Sequence, residues 1–380
     1  MIPAYRPTAQ QQLLLQAALL PGEAGRAAWQ RVRASVTREA LEDASESLLP
    51  LVYQNVARLG EGDEEIEALK NRYVDTWSEN LRFYYGIQPL LHAFEQVGID
   101  AVVLKGLALI ARFYRDPGVR PMEDVDVLVS PSDVERASAL AEDLGWHPRH
   151  RLTPGFLRVK HAGPFDHGTG VACDIHWRVF EEAGASAADG DFRAAAELVT
   201  FQGTRFRVLS PTDQLLHVCG HAARWSEVPA IRWVADAAII LREGPIDWPR
   251  FLAHTAERQF VLRMRQMLGY LRGALGVAIP PSVEEELARR PVSLLERVEY
   301  RVRTREHRLL GELPTYVFNC LRGEPRPLVA FPGYLRDAWG LASMANVPGH
   351  ALRLAARRVR SAMPGPRGRV RMNGPGGERR

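Results

Sequence analysis

Two aspartates, Asp124 and Asp126, open the run Asp124-Val125-Asp126-Val127-Leu128-Val129. The alternation predicts a strand, on which side chains repeat every two residues, so both carboxylates share one face while Val125 and Val127 point to the core. Carboxylates so placed, roughly 7 Å apart or less, repel each other. A dication between them relieves that repulsion. Mg²⁺ suits the task because it takes oxygen ligands, typically one or two carboxylates together with substrate phosphates. The tripeptide Asp-x-Asp alone is short and common, and it fits the solvated face of an edge strand equally well.

The surroundings sharpen the reading. Val102-Val103-Leu104-Lys105-Gly106 reads as a short apolar strand ending at a glycine, followed by a helix to Tyr114 and the turn residues Asp116-Pro117-Gly118. Arg120 precedes Pro121 close to the aspartate pair, where it would either contact a phosphate or brace Asp124 through a bidentate pair. A carboxylate pair beside a glycine-terminated strand points to metal-assisted phosphoryl or nucleotidyl transfer.

The line Leu104-Lys105-Gly106, helix, Arg120-Pro121-Met122-x-Asp124-x-Asp126-x-Leu128-Val129 resembles the polymerase-β-like nucleotidyltransferase superfamily. More narrowly it resembles the bacterial family of uncharacterised nucleotidyltransferases, over about residues 85–260. Gly106 matches the family glycine, and Asp124 and Asp126 match its aspartate pair. The resemblance assigns the third carboxylate to Asp174, within Cys173-Asp174-Ile175-His176-Trp177. It implies metal ions held by Asp124, Asp126 and Asp174, an NTP as donor, and Lys105, Gly106 and Arg120 at the phosphates. The chain departs from the pattern in three ways. Leu107 stands where many relatives carry serine, Lys105 precedes the glycine, and the spacer to Asp124 is long. Loss of the serine removes one hydroxyl from the phosphates, and Lys105 would supply a charge instead.

These residues need a scaffold. Strands are predicted over 99–104, 124–129, 146–152, 156–160, 170–177 and 203–209, and helices over 106–114 and 131–144, the latter capped by Ser130 and stopped by Gly145. Before them come helices over 8–20, 24–36, 38–59, 63–85 and 88–97. The aromatics Tyr73, Trp77, Phe83 and Tyr84 of the fourth are expected in the core. After them a helical bundle is predicted over 211–224, 229–242, 248–258 and 260–275, with two or three more helices in 282–322 and one over 333–360. The fold class is therefore α+β, a small mixed sheet flanked by N-terminal helices and a C-terminal helical bundle. The expected divisions are 1–98, 99–209, 210–325, 326–362 and a disordered basic tail over 363–380.

Other residues compete for a role. His176 lies two after Asp174, on the same strand face, as a candidate partner of the metal site or a strand-end histidine near solvent. His217 and His221 lie at i, i+4 on a helix, but no glutamate follows His217 and no third ligand is apparent, so zinc is disfavoured. His221 and Arg224 are expected to face a substrate. Asp213 suits a helix N-terminus, and Asp236 is placed to pair with Arg232 at i−4. There is no Walker-type loop, no Gly-x-Gly-x-x-Gly and no Gly-x-Ser-x-Gly, which argues against P-loop ATPases, dinucleotide-binding oxidoreductases and α/β-hydrolases.

The three cysteines, Cys173, Cys219 and Cys320, form no Cys-x-x-Cys and no disulfide framework. No apolar run approaches the ~18 residues of a membrane span, and no secretory signal opens the chain, so a cytoplasmic location is expected. From Leu352 onward nine arginines face one glutamate, a net of +8 within a total of +4. The basic charge belongs to the tail, and it gives no ground for expecting nucleic-acid binding by the folded body. The expected function is an Mg²⁺-dependent transfer of a nucleoside monophosphate from an NTP to a hydroxyl acceptor, with Mn²⁺ as a substitute ion. The acceptor is open among small molecules, peptide products, proteins and RNA, and so is the oligomeric state. The alternative is a catalytically silent protein of the same fold, binding or regulating within a biosynthetic or toxin–antitoxin-like assembly. Two bare like charges on one strand further predict that neutralising Asp126 stabilises the metal-free chain slightly.

Overall fold

The apolar run before Lys105 forms strand β1 (Val102–Leu104), and the alternating run after Asp124 forms β2 (Val125–Leu128). They belong to a seven-stranded mixed sheet with β3 (Trp146–Pro148), β4 (Ala162–His167), β5 (Ala172–His176), β6 (Glu197–Phe201) and β7 (Thr204–Val208), in the order β3-β4-β5-β2-β1-β7-β6. Strand β2 runs antiparallel to β1 and parallel to β5, and β1 runs parallel to β7. The computed structural model describes residues 6–35, 43–57, 64–181, 188–222, 231–305, 312–322 and 330–362. The expectations for Arg224 and for the tail over 363–380 fall outside the described residues.

The two faces of the sheet do different things. Val103, Val125, Val127, Cys173 and Ile175 share a core with Phe83, Tyr84, Ile87, Leu90 and Phe94 of the helix Glu64–Gln96 and with Val134, Ala137 and Ala141 of the helix Val134–Asp143. Val102, Leu104 and Leu128 share the other core with the first helices of the chain and with Pro211–Ala222, Arg232–Glu243, Trp248–Glu257 and Val261–Leu275. Covered on both faces, β2 is buried along its whole length, as the apolar Val127-Leu128-Val129 requires. Asp126 lies on the same face as Leu104, its partner in β1, and so looks toward the C-terminal helices.

The N-terminal helix Ala9–Leu19 opens with a capping box, in which Thr8 accepts from the Gln11 backbone and the Gln11 side chain accepts from the Thr8 backbone. Its far side joins the C-terminal bundle: Gln12 donates to the Ala274 carbonyl at 3.0 Å and Arg242 to the Leu19 carbonyl at 2.8 Å. Helices before and after the sheet thus contribute to one core against it. Among the described residues, no helix is long and apolar enough to cross a membrane.

Several sequence-based expectations need correction. Residues 156–160 are not a strand: 156–159 lie in the helix Pro154–Val159 and Lys160 closes it, because Thr153 caps the helix, accepting from the Phe156 backbone at 3.1 Å, and Pro154 starts it. The strand paired with β5 is β4, which begins after that helix and runs through Gly163 and Pro164. The helices expected over 63–85 and 88–97 are one 33-residue helix that continues through Pro89. Gly86 lets this helix lie directly against Val171, since a Cβ there would fall 2.7 Å from the valine methyl. Ser130 does not cap the following helix, which begins after Asp133. Strand β6 was not anticipated, and the helix expected over 333–360 is two, Phe331–Ala338 and Asn346–Ala362. Of the four aromatics expected in the core, Phe83 and Tyr84 are buried, Tyr73 is half-buried and Trp77 is exposed.

The turn between the helix end and β2 is built tightly. Tyr73 donates its hydroxyl to Asp116 at 3.0 Å, and Gln54 donates to the same carboxylate at 2.8 Å. The Tyr73 ring lies over Gly118, where a Cβ would fall 2.3 Å from the nearest ring carbon. Gly118→Ala is expected to cost about 1–3 kcal/mol through overpacking. An unchanged thermal melt would show that Tyr73 moves aside freely.

Candidate active site

Strand β1 ends at Leu104, and the chain turns at Lys105 with a left-handed φ of +45°. The helix Lys105–Leu109 then widens into a π-helical turn, Ile110–Tyr114, closed by Arg115 at φ +56°. Such turns recur at functional sites because they offset the side chains that follow. Here the offset carries Tyr114 to Asp236, to which it donates at 2.8 Å.

The parallel register of β2 and β5 sets Asp126 opposite Asp174, so both carboxylates stand on one face, and His176 follows two residues on. Ligand atoms of Asp126, Asp174 and His176 all lie within 4.8 Å of one another. His176 Nε2 is 2.8 Å from Asp126 Oδ1, both side chains are buried, and the Lys105 ammonium donates to the same oxygen at 2.6 Å. With the carboxylate as acceptor, the imidazole carries its proton on Nε2. The fate of the Asp126 pKa follows: burial works to raise it, but the Lys105 charge and the His176 hydrogen bond outweigh burial and hold it far below the usual carboxylate range.

Asp124 and Asp174 are the poorly compensated members. Burial first, then the charges of Asp126 and Asp174, push Asp124 up to about 6. Burial also raises Asp174, with Asp126 adding to it against the pull of His176 and Lys105. Two half-buried carboxylates lacking a full counter-charge beside a third form an oxygen donor set that fits a hard divalent cation. In metal-free buffer Asp124→Asn should therefore stabilise the fold. The raised folded pKa means that ionised Asp124 opposes folding fully above about pH 6 and not at all below the ordinary value of 3.8. The shift is worth at most about 3 kcal/mol, and solvent at the cleft brings the expected gain to about 1–2 kcal/mol at pH 8. Melts with a chelator should show the gap between variant and wild type closing as the pH falls from 7 to 5.

The aspartate pair borders a cleft of about 390 Å³ between the sheet and the C-terminal helices. Lys105, Gly106, Met122, Glu123, Asp124 and Asp126 line one side, and His217, His221, Arg232 and Trp233 the other. Asp174 stands one strand beyond this lining. Gly106 matters for space: a Cβ there would meet the Met122 side chain at 2.8 Å and Arg120 at 3.1 Å. Leu107, in the place of the family serine, is buried.

Arg120 does form a bidentate pair, but with Asp236 and not with Asp124. Its Nε and Nη2 donate to the two carboxylate oxygens at 2.8 and 2.9 Å, with both side chains buried. Asp236 therefore does not take Arg232 as its partner. Arg232 instead donates to the Pro121 carbonyl at 2.6 Å and reaches Glu123 at 3.7 Å. Burial and the neighbouring Arg120 charge lower its pKa. Asp213, at the expected helix start, also accepts a bidentate pair from Arg250. His217 packs edge-on against Phe180 and lies beside His221.

Two positioning residues were not picked out from the sequence. In the sequence Arg232 reads only as a helix partner of Asp236. Asn80, in mid-helix, donates to the carbonyls of Pro117 and Arg120 at 2.6 and 2.8 Å and accepts from the Met122 backbone at 3.1 Å. It fixes the segment that delivers Asp124. The only signal for it was a buried amide on an otherwise apolar helix face, and nothing local distinguishes such a residue from a solvated one.

The mixed sheet, with helices on both faces, brings the aspartate pair to one cleft. Residues 44–276 match the model of the uncharacterised nucleotidyltransferase family, more than half of the chain, and the protein belongs to that family. It is accordingly a transferase. Among curated proteins none matches the sequence. Three solved structures show distant likeness. The lincosamide antibiotic adenylyltransferase LnuA, lincomycin-bound, is 15% identical, with 42% of this chain and 96% of that one covered and a TM-score of 0.32. The antibiotic-resistance factor ANT(2'')-Ia is 16% identical, covering 53% and 96%, with a TM-score of 0.33. An antigenic nucleotidyltransferase-like protein from Paracoccidioides brasiliensis is 15% identical, covering 54% and 96%, with a TM-score of 0.38. The assignment rests on the family match.

Proposed function

We propose that the protein transfers a nucleoside monophosphate from an NTP to a hydroxyl acceptor with the help of Mg²⁺, for which Mn²⁺ can substitute. The observation that carries this reading is the convergence of Asp126, Asp174 and His176 on one point, with Asp124 coupled to them at the cleft. Asp124, Asp126 and Asp174 would hold the ion, which when bound neutralises the triphosphate and polarises the phosphorus under in-line attack. His176 orients Asp126 through Nε2. Asp174, beside the ion, would take up the proton of the attacking hydroxyl. Lys105 offsets charge at the carboxylates and the phosphates. Arg120 has its fork committed to Asp236, so the phosphate contact passes to Arg232 across the cleft, and Arg120 holds the wall that presents it. Gly106 keeps the backbone low beneath the phosphates. Leu109, Met122 and Trp233 give the cleft its apolar lining.

The test is a screen of the four NTPs with Mg²⁺ or Mn²⁺. It reads nucleotide-dependent thermal stabilisation and, with hydroxyl acceptors added, pyrophosphate release. Stabilisation by at least one NTP and release that needs the divalent ion are expected. A chain that binds no NTP under either ion contradicts the reading. Binding without release in any acceptor pool would favour the catalytically silent alternative, which the buried Leu107 in the phosphate turn also fits.

A further inference from the structure

Asp126 carries an unusual load on one oxygen. Its Oδ1 accepts from Lys105 Nζ at 2.6 Å and from His176 Nε2 at 2.8 Å. A carboxylate offers about four lone-pair sites over two oxygens, so two donors fill Oδ1 and leave Oδ2. In the common bridging mode a carboxylate gives one oxygen to each of two metal ions, and Asp126 has only Oδ2 left to give.

Lys105 is also held in place at a cost. A left-handed φ of +45° on a residue with a side chain is unfavourable by about 1–2 kcal/mol and persists only where the surroundings enforce it. Leu104 lies directly across from Asp126 in the β1–β2 register, so the turn at the next residue brings the lysine to that carboxylate. The lysine side chain is three-quarters buried there and Asp126 almost wholly so, at 25% and 2% exposed. Charge counting agrees: three carboxylates and one ammonium leave two negative charges, which a single divalent ion neutralises.

We infer that Lys105 is a resident cation of the carboxylate cluster, capping Asp126 Oδ1 where a second divalent ion would otherwise bind, so that the protein takes one divalent ion per chain. The inference rests on the metal-dependent reading above and specifies its stoichiometry.

The experiment is titration of the full chain with Mn²⁺ alone at neutral pH, following free Mn²⁺ by electron paramagnetic resonance. The sites counted are those that disappear in Asp174→Asn. Wild type should bind one ion. Lys105→Met, which keeps the length and removes the charge, should bind two. Lys105→Gly should do the same, and it also relaxes the left-handed turn that Lys105→Met keeps, so the two variants differ in backbone strain while sharing the loss of charge. Two ions on the wild type would overturn the inference and leave the metal-dependent reading standing. One ion on both lysine variants would show that Lys105 is not what excludes the second. No ion lost in Asp174→Asn would overturn both readings together.

Discussion

Asp126→Asn is expected to slow pyrophosphate release by about a thousandfold or more while the chain still folds. The amide is nearly isosteric with the carboxylate, so Val125 and Val127 keep their packing. Its oxygen can still accept from Lys105 and His176. What changes is the second atom, which becomes an NH₂ group with no lone pair to offer where Oδ2 had faced the site. One negative charge disappears from the cluster at the same time. Charge stabilisation of a transferring phosphoryl group is worth several kcal/mol, and about 1.4 kcal/mol separates each decade of rate. The stability effect is the reverse of the one read from sequence. Asp126 is the compensated carboxylate, its folded pKa lying below the unfolded value, so it contributes stability that is present at neutral pH and lost on acidification. The asparagine variant should therefore be less stable at pH 7, by about 1–3 kcal/mol, because a charge-assisted hydrogen bond becomes a neutral one. Pyrophosphate release with a matched thermal melt checks both parts. Undiminished turnover would remove Asp126 from the proposed mechanism.

That reversal shows where the sequence is legible. Alternation alone put Asp124 and Asp126 on one face, and the parallel pairing of β2 with β5 puts Asp174 there too, where the family resemblance had assigned the third carboxylate. The identity of the compensated aspartate was hidden. It depends on the left-handed turn at Lys105, and no rule of composition predicts positive φ at a lysine. Residues 156–160 were misread for a different reason. So short a stretch supports either period, and the deciding signal is the Thr153-Pro154 start, not the apolar pattern. A break between 85 and 88 is expected from the sequence, yet the helix runs on through Pro89, because the burial of Ile87, Leu90, Leu91 and Phe94 outweighs one missing hydrogen bond. Asp236 and Arg120 illustrate the remaining gap. Each had a plausible local partner, Arg232 and Asp124, but they chose each other across 116 residues.

Removing that long-range pair should have the largest effect on stability. Asp236→Ala leaves the Arg120 guanidinium buried without its carboxylate and deprives the Tyr114 hydroxyl of its acceptor. Burial alone would lower the arginine pKa, and the Asp236 charge with its hydrogen bonds is the largest of the influences that hold it up. Breaking a buried pair from one side costs about 3–5 kcal/mol, far more than the pair contributes against an apolar replacement. A drop of several degrees in the melt is expected. Arg120→Leu combined with Asp236→Leu should recover much of the loss, because no charge is then stranded. Activity should not recover in that double variant. The Arg120–Asp236 pair ties the segment carrying Asp124 to the helix Arg232–Glu243, which presents Arg232 to the cleft, and a misplacement of about 1 Å can cost a hundredfold in rate. A double variant that regained both stability and turnover would show that the pair serves folding alone. A single variant as stable as the wild type would show that Arg120 finds another partner in the cleft wall.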